Sequence, residues 1–339
     1  MSAAPVSRFG DPTRPAVVAL GGGHGLSASL SALRLMTDRI TAVVTVADDG
    51  GSSGRLREEL AVLPPGDLRM ALSALCDDSE WGRTWRDLLQ HRFSSQGPLD
   101  HHSVGNLLIV ALWELLGDTV EGLDLVGRLL GARGRVLPMA SVPLRIEARV
   151  RLPDGSEDVV RGQTRVATTP HRIDQLRLHP LDPPACPEAV AAVRDADWVV
   201  LGPGSWYTSV LPHLLVPELR AALLETSARI VVVLNLTPDD ETVGMRAVDH
   251  LEVLRAHAPE LPVHAVVVDP ASVDDVGELA QTCADTGTRL LVRQVRRGDQ
   301  SDVHDPLRLA AALRDVVEGY LGDVGTPAGA VGADDDRIG

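Results

Sequence analysis

Short apolar runs recur along this chain and are separated by longer segments in which apolar residues have helical spacing. Runs of about four to eight apolar residues between turn-forming residues are typical of buried strands, and apolar positions three and four residues apart are typical of helices. Alternation of the two predicts an α/β fold with a mainly parallel sheet. The predicted strands are Pro15–Leu20, Ile40–Val46, Asp197–Leu201, Arg229–Leu234, Val263–Val268 and Arg289–Val292.

The same spacing places helices on both sides of these strands. A helix is predicted directly after the first strand, and another closes the fold. Between the second strand and residue 144, spaced Leu, Ala and Trp residues predict a largely helical block. The predicted helices are Leu26–Met36, Asp67–Leu75, Trp81–Arg92, Ser103–Leu116, Val120–Leu130 and Pro306–Leu321.

From residue 144 the pattern changes to strict alternation of apolar and polar residues. It predicts a hairpin of Leu144–Leu152 and Glu157–Arg161 around a Pro-Asp-Gly turn, followed by a strand at Ile173–Leu178. We expect a small antiparallel β insertion at about residues 144–180, which either caps the main sheet or extends it. The predicted organisation is a flexible N-terminus at 1–15, one domain at 16–322 and a disordered tail at 323–339.

A glycine loop follows the first predicted strand. The segment from Gly23 to Ala28 fits G-x-G-x-x-A, and Asp48 follows about 20 residues later, where a dinucleotide fold keeps its ribose-binding acid. The match is compatible with phosphate binding at a helix start, and equally with glycines that serve close helix–strand packing. The candidate ligand-binding residues of this loop are Gly21, Gly22, Gly23, His24 and Gly25.

The second predicted strand leads into a loop that combines acidic, small and basic residues. Glycine N–H groups, serine hydroxyls and arginines suit a phosphorylated ligand, although a solvated turn has a similar composition. Two carboxylates beside a phosphate require a divalent cation such as Mg²⁺ between them, or a hydroxyl that donates to them. We therefore leave open whether Asp48 and Asp49 hold a metal. The candidates here are Asp48, Asp49, Gly50, Ser52, Ser53, Gly54 and Arg57.

Two further strands of the C-terminal half end in polar loops. The carboxyl ends of parallel strands meet at one edge of a sheet, so one shared crevice is the economical prediction. Alternatives remain. Thr237 or Asp239 could cap a helix that begins near Glu241, Asn106 could cap its own helix, and Trp206 and Tyr207 could pack rather than stack on a ligand. The candidates are Asn106, Gly202, Gly204, Ser205, Thr208, Ser209, Asn235 and Thr237.

Composition narrows the classes of function. The net charge of −15 argues against nucleic acid as a partner. The chain contains no lysine, so all 32 strongly basic side chains are arginines and a lysine nucleophile is excluded. The three cysteines are far apart and the adjacent His101 and His102 point differently, so neither set predicts a zinc site. Without a long apolar run or a hydrophobic signal core, we expect a cytoplasmic protein with no membrane span.

The motifs closely resemble those of the gluconeogenesis factor family, or YvcK-like proteins, within a wider group that includes the 2-phospho-lactate transferase CofD. The resemblance covers most of residues 16–322. The segments that carry it are Leu20–Leu26, Val46–Leu56, Pro65–Arg69, Ser103–Leu107 and Gly202–Ser209. It implies a Rossmann-like, doubly wound fold, a cytoplasmic location and binding of a uridine diphospho-sugar such as UDP-N-acetylglucosamine. It also implies a role in cell-wall growth and cell shape during gluconeogenic growth.

Three classes of function follow from these observations. The first is a nucleotide-sugar binding regulator, with a homodimer and regulators of cell-wall synthesis as candidate partners. The second is a CofD-type transferase that uses a divalent metal, and the third is an NAD-linked oxidoreductase. The third is the weakest, because the acid after the second strand lies in a Ser/Gly loop rather than in a simple ribose-binding turn. We nominate no catalytic residue and no certain cofactor.

Overall fold

A computed structural model of the chain describes residues 13–298 and 301–319. Within this part, seven strands form one sheet, and every neighbouring pair in it is parallel. The strands are β1 (Val17–Gly21), β2 (Ile40–Val44), β3 (Arg135–Pro138), β7 (Trp198–Leu201), β8 (Arg229–Val233), β9 (Val263–Val268) and β10 (Arg289–Val292). Their spatial order is β10-β9-β8-β7-β1-β2-β3.

The predicted β insertion is confirmed as a second, separate sheet. It contains β4 (Arg145–Arg151), β5 (Glu157–Arg161) and β6 (Arg172–His179), with β4 in the centre and both pairs antiparallel. Apolar residues of β4 alternate with polar ones, and Ile146, Ala148 and Val150 are buried. One face of this sheet therefore packs on the protein and the other faces outward.

Helices complete the fold between these strands. They are α1 (Gly23–Leu33), α2 (Gly51–Leu60), α3 (Gly66–Leu75), α4 (Glu80–Gln90), α5 (Val104–Leu116), α6 (Thr119–Leu129), α7 (Gln163–Ala167), α8 (Pro187–Arg194), α9 (Pro217–Glu225), α10 (Ala247–His257), α11 (Val276–Ala284) and α12 (Pro306–Glu318). Short helical turns lie at Trp206–Val210, Leu211–Leu215, Asp240–Thr242 and Pro270–Ser272. No helix in the described ranges is both long and apolar enough to cross a membrane.

The fold class is confirmed, and the differences from the predicted elements are local. Helix α1 begins at Gly23, three residues earlier than predicted, and Gly23 has a positive φ of 56°, which glycine adopts without strain. The sequence pattern missed β3, which is short and ends at a proline, and it missed α2, which begins in a glycine-rich segment that resembles a turn. Helix α12 ends at Glu318 with Gly319 as its C-cap, and the predicted end at Leu321 lies outside the described residues. Most of the predicted flexible N-terminus and the whole predicted tail also lie outside them.

The order of the strands determines where a ligand site can form. From β1 the chain runs outward through β2 and β3, and it later returns to the other side of β1 with β7 before it continues to β8. The direction of winding thus reverses between β1 and β7. In open α/β sheets the loops at such a reversal diverge and leave a crevice outside the carboxyl ends of the strands.

Candidate ligand-binding crevice

The loops after β1, β2 and β7 meet at this reversal, and we call the space between them the crevice. The contact between the first and third loops is close. A Cβ atom at Gly25 would clash with the backbone of Pro203 and Gly204, and one at Gly22 would lie 2.6 Å from a carboxylate oxygen of Asp67. Glycine is thus required at position 25 by the backbone of the third loop, whereas at position 22 the Asp67 side chain of α3 would have to shift. These glycines have a packing role whatever the ligand.

Two helices begin at the crevice without a side-chain cap. The N-cap residues of α1 and α2 are Gly22 and Gly50, and neither can offer a side-chain oxygen to the first-turn N–H groups. Such N–H groups carry a partial positive charge and favour an anion. Because β1 and β2 are neighbouring parallel strands, the two helix starts lie side by side.

Two carboxyl groups occupy the space between the helix starts. Asp48 accepts hydrogen bonds from the N–H of Gly50 at 2.9 Å and from the Ser53 hydroxyl, and Asp67 accepts one from the N–H of Gly23. Both side chains are half-buried. Burial, followed by the charge of Asp48, raises the pKa of Asp67 to about 7, and burial raises the pKa of Asp48 above its ordinary value. Asp67 therefore gains or loses its proton near neutral pH.

Asp49 faces away from this pair. Its Oδ1 atom accepts hydrogen bonds from the backbone N–H of Thr164 at 2.9 Å and from the Thr164 hydroxyl at 2.7 Å. Thr164 lies in the first turn of α7, between β5 and β6 of the antiparallel sheet. In this arrangement Asp49 connects the loop after β2 to the β insertion.

A buried polar network supports the start of α2 from inside the protein. The Ser52 hydroxyl oxygen accepts from the Ser103 N–H at 3.2 Å and from the Asn106 amide at 3.1 Å, so its own proton is directed to Nδ1 of His102 at 3.0 Å. Asn106 is 1% exposed and also accepts from Arg69 Nε at 2.9 Å. Asn106 neither caps its helix nor lines the crevice, which differs from both roles considered in the sequence.

The serine hydroxyls of the second loop also differ from the predicted arrangement. We expected them to donate to a phosphate, but that of Ser52 belongs to the buried network and that of Ser53 accepts from the Gly66 N–H at 2.9 Å. Both serines are 3% exposed. The groups of this segment that remain suited to an anion are the backbone N–H groups at the start of α2.

The third loop is fixed by reciprocal hydrogen bonds. The amide of Asn235 accepts from the Gly204 N–H at 2.8 Å and donates to the Gly204 carbonyl at 3.0 Å. Below this loop, Glu241 accepts from the N–H groups of Tyr207 at 2.7 Å and Thr208 at 3.4 Å. Thr208 is 1% exposed, so it lies beneath the crevice, whereas Ser209 is directed towards the position of Gly22.

The remaining predicted residues lie around this centre. His24 and Thr237 are exposed, and Ser205 is half-buried. Arg57 is half-buried behind the loop after β2, where its Nη1 atom donates to the carbonyl oxygens of Ala47 and Asp48, both at 3.3 Å. Gly54 lies against the backbone of Asp49, where a Cβ atom would clash.

The aromatic residues Trp206 and Tyr207 are buried, which fits packing rather than stacking on a ligand. In the short turn Asp240–Thr242, Asp239 is the N-cap, and Thr237 does not cap a helix.

Sequence reasoning about the site missed three residues that the fold brings to it. Asp67 and Arg69 lie in the Pro65–Arg69 segment, which carried the family resemblance but was not assigned to the site, and Glu241 was taken only as a helix start. The fold adds the carboxylate of Asp67, from α3, to those of Asp48 and Asp49, and the signal for it was the acidic residue at that helix start.

Asp48 and Asp67 are the residues that would hold a divalent cation in the crevice. Together they offer hard oxygen ligands beside a predicted phosphate site, which suits Mg²⁺ completed by water and phosphate oxygens. In the described residues, no group of three or more His, Cys, Asp or Glu side chains could hold a metal by itself. A cation here would therefore depend on the ligand for the rest of its coordination.

Comparison with known proteins supports the fold described above. Residues 17–290 match the family model described as 2-phospho-L-lactate transferase CofD. A putative gluconeogenesis factor from Mycobacterium tuberculosis is 51% identical over 322 residues, which are 93% of this chain and 94% of that protein. The gluconeogenesis factor of Bacillus subtilis is 38% identical over 263 residues, 77% of this chain and 81% of that protein. A crystal structure of a UPF0052 family protein from Bacillus halodurans, 35% identical, has a TM-score of 0.78 and covers 88% of this chain and 99% of that one.

Proposed function

This chain belongs to the gluconeogenesis factor family of CofD-like proteins, and from that membership we propose that it binds a uridine diphospho-sugar, UDP-N-acetylglucosamine, in the crevice. The bound state then regulates cell-wall growth and cell shape during gluconeogenic growth, in the cytoplasm. The observation that supports this most is the pair of uncapped helix starts at Gly22 and Gly50. The first-turn N–H groups of two adjacent helices suit a diphosphate, although that of Gly23 donates to Asp67.

The carboxyl pair explains how an anion is accommodated beside acids. Two ionised carboxylates would repel a diphosphate, so binding requires either a proton on the pair or a cation between the pair and the ligand. The raised pKa of Asp67 provides the first route, and the oxygen ligands of Asp48 and Asp67 provide the second. Arg69 lies behind Asp67, and its buried positive charge favours the ionised form of that carboxyl group.

A transferase of the CofD type is the second candidate, and the carboxyl pair is the observation that favours it. Mg²⁺ held by Asp48 and Asp67 would neutralise charge on a nucleotide-linked phosphate while a second substrate attacks. A binding regulator and a transferase share this crevice. They differ in whether a second substrate is consumed, which a measurement of UDP-N-acetylglucosamine turnover by the purified protein decides.

The test of the proposed function is a thermal unfolding series with nucleotides. A ligand of the native state at about 100 times its dissociation constant adds about 2.7 kcal/mol, which for a chain of this size corresponds to about 4 °C in Tm. We expect this shift with UDP-N-acetylglucosamine and none with NAD. A shift with NAD and none with any uridine nucleotide would overturn the proposal.

A matched pair of arginine variants locates the ligand. Arg57→Ala removes a guanidinium that contacts the carbonyls of Ala47 and Asp48, so we expect it to weaken UDP-N-acetylglucosamine binding about tenfold. Arg220→Ala removes the same charge from α9, where Arg220 pairs with Glu260 at 3.2 Å. Calorimetric affinities that are equal for the two variants would remove Arg57 from the site.

A further inference from the structure

A second cleft lies beside the crevice, between α2 and the outward face of the antiparallel sheet. Its volume is about 900 Å³, within the range that holds small-molecule ligands. We call it the insertion cleft. It is lined from α2 by Gly54, Arg57, Glu58 and Ala61, and from the insertion mainly by Arg145, Glu147, Arg161 and His179.

The strand register explains why charged side chains share this cleft. Arg145 of β4 lies opposite His179 of β6, and Glu147 lies opposite Arg161 of β5. Residues opposite one another in an antiparallel pair point to the same face, and residues two apart on a strand do so as well. All four side chains therefore leave the sheet on the side that faces α2.

The acidic groups of the cleft are largely satisfied by the protein itself. Glu147 accepts from Arg161 at 2.8 Å and lies 3.3 Å from His179, and these contacts lower its pKa. Asp49 is held by Thr164. Glu58 is exposed at the rim.

The remaining two cations are close to each other, and within the described ranges neither guanidinium forms an ion pair. The Arg145 side chain also makes no hydrogen bond there, whereas Arg57 donates to two backbone carbonyls and is favoured by the more distant charges of Asp49 and Asp48. After burial, the charge of Arg145 is the largest influence that lowers the pKa of Arg57, so the two guanidinium groups repel each other. Like charges held together in a cleft are stabilised by an anion placed between them.

We propose that the insertion cleft is a second ligand site, which binds a small anion through a phosphate or carboxylate group held by Arg145 and Arg57. The planar fork of arginine matches either group with two parallel hydrogen bonds. Asp49 and Arg57 line this cleft and also belong to the candidate residues of the crevice, so they mark the boundary between the two sites, whereas Arg145 belongs to the insertion cleft alone. The proposal does not depend on the identity of the nucleotide in the crevice.

The experiment measures anion and nucleotide binding on the same variants by calorimetry. Inorganic phosphate and citrate are the two probes, because one tests recognition of a phosphate group and the other tests recognition of a carboxylate group. We expect Arg145→Ala to weaken binding of the tighter-binding probe at least tenfold. The affinity of this variant for UDP-N-acetylglucosamine should stay within twofold of the wild-type value. Arg145→Lys should restore part of the anion affinity, and Arg220→Ala should change neither.

Three results would overturn the proposal. The first is that neither probe binds the wild-type protein at millimolar concentration. The second is equal anion affinity in the wild type and Arg145→Ala. The third is an Arg145→Ala variant that loses UDP-N-acetylglucosamine binding as strongly as anion binding, which would make the cleft part of the nucleotide site. If the protein binds an anion through Arg145 but binds no uridine nucleotide, the proposed function is contradicted and the proposal for the insertion cleft is not.

Discussion

At the scale of single residues, Asp67 determines how the crevice responds to pH. Its pKa in the folded protein is about 7, and Asp48 is its acidic neighbour. Without a metal, ionisation above pH 7 adds a negative charge beside the bound diphosphate, so affinity should fall by up to about tenfold per pH unit. With Mg²⁺, the ionised Asp48 and Asp67 carboxylates coordinate the cation, so the affinity for the nucleotide should rise up to pH 7 and then stay constant.

Calorimetry of UDP-N-acetylglucosamine from pH 6 to 8, with Mg²⁺ and with chelator, checks this prediction. Asp67→Asn should flatten both curves, since the amide does not titrate. Asp49→Asn is the control, and it should keep the wild-type response because its side chain faces Thr164. A chelator effect that disappears in Asp49→Asn and persists in Asp67→Asn would instead assign the cation to Asp49.

A glycine substitution tests whether the loops after β1 and β7 meet as described. Gly25→Ala would place a methyl group against the backbone of Pro203 and Gly204, which cannot move aside as a side chain can. We expect a loss of about 3 kcal/mol in the free energy of unfolding. Gly127→Ala in α6 meets nothing closer than 3.9 Å and should be neutral or stabilising. Urea unfolding of both variants measures the contrast.

At the scale of elements, Glu241 fixes the turn Trp206–Val210 that follows β7. Burial, with the charge of Asp239 as the next cause, raises the pKa of Glu241 to about 8. Between the ordinary pKa of 4.5 and about 8, the unfolded chain is ionised at this residue and the folded chain is not. The contribution of Glu241 to stability is therefore complete below pH 4.5 and is lost as pH rises through 8.

The variant Glu241→Gln should remove this pH dependence. The amide oxygen of glutamine still accepts from the Tyr207 N–H, and the amide does not titrate. Relative to wild type, the variant should gain about 1 to 3 kcal/mol in unfolding free energy between pH 5 and pH 8. Denaturant titrations at the two pH values give the difference directly. A constant difference across this range would show that Glu241 is already ionised in the folded protein.

The elements also show what the sequence pattern could predict and what it could not. Parallel strands are buried on both faces, so their apolar runs were visible, and the alternation in β4 predicted the insertion. Helix α2 was missed because three glycines and two serines resemble a turn, although Gly54 serves the close approach to Asp49. Asp67 was missed for a different reason: its distance from Asp48 depends on how α3 packs, which no local pattern records.

At the scale of the whole molecule, the crevice is built from residues far apart in the chain. Val17 of β1 pairs with Trp198 of β7, and the intervening residues form β2, β3, the helical block and the insertion. The chain also carries a net charge of −15, which repels an anionic ligand at long range. Binding therefore requires the local helix starts, and these adopt their relative positions only when the complete sheet has formed.

The last prediction concerns the fate of the ligand in this assembled crevice. Hydrolysis or transfer needs a nucleophile and a base within hydrogen-bond reach of each other. The chain has no lysine, His24 is exposed at the start of α1, and the hydroxyls of Ser52 and Ser53 are engaged within the protein. We expect purified protein with Mg²⁺ to leave UDP-N-acetylglucosamine intact for hours, as followed by chromatography of the nucleotides. Release of UMP, UDP or free sugar at a rate that Asp67→Asn abolishes would favour the transferase over the binding regulator.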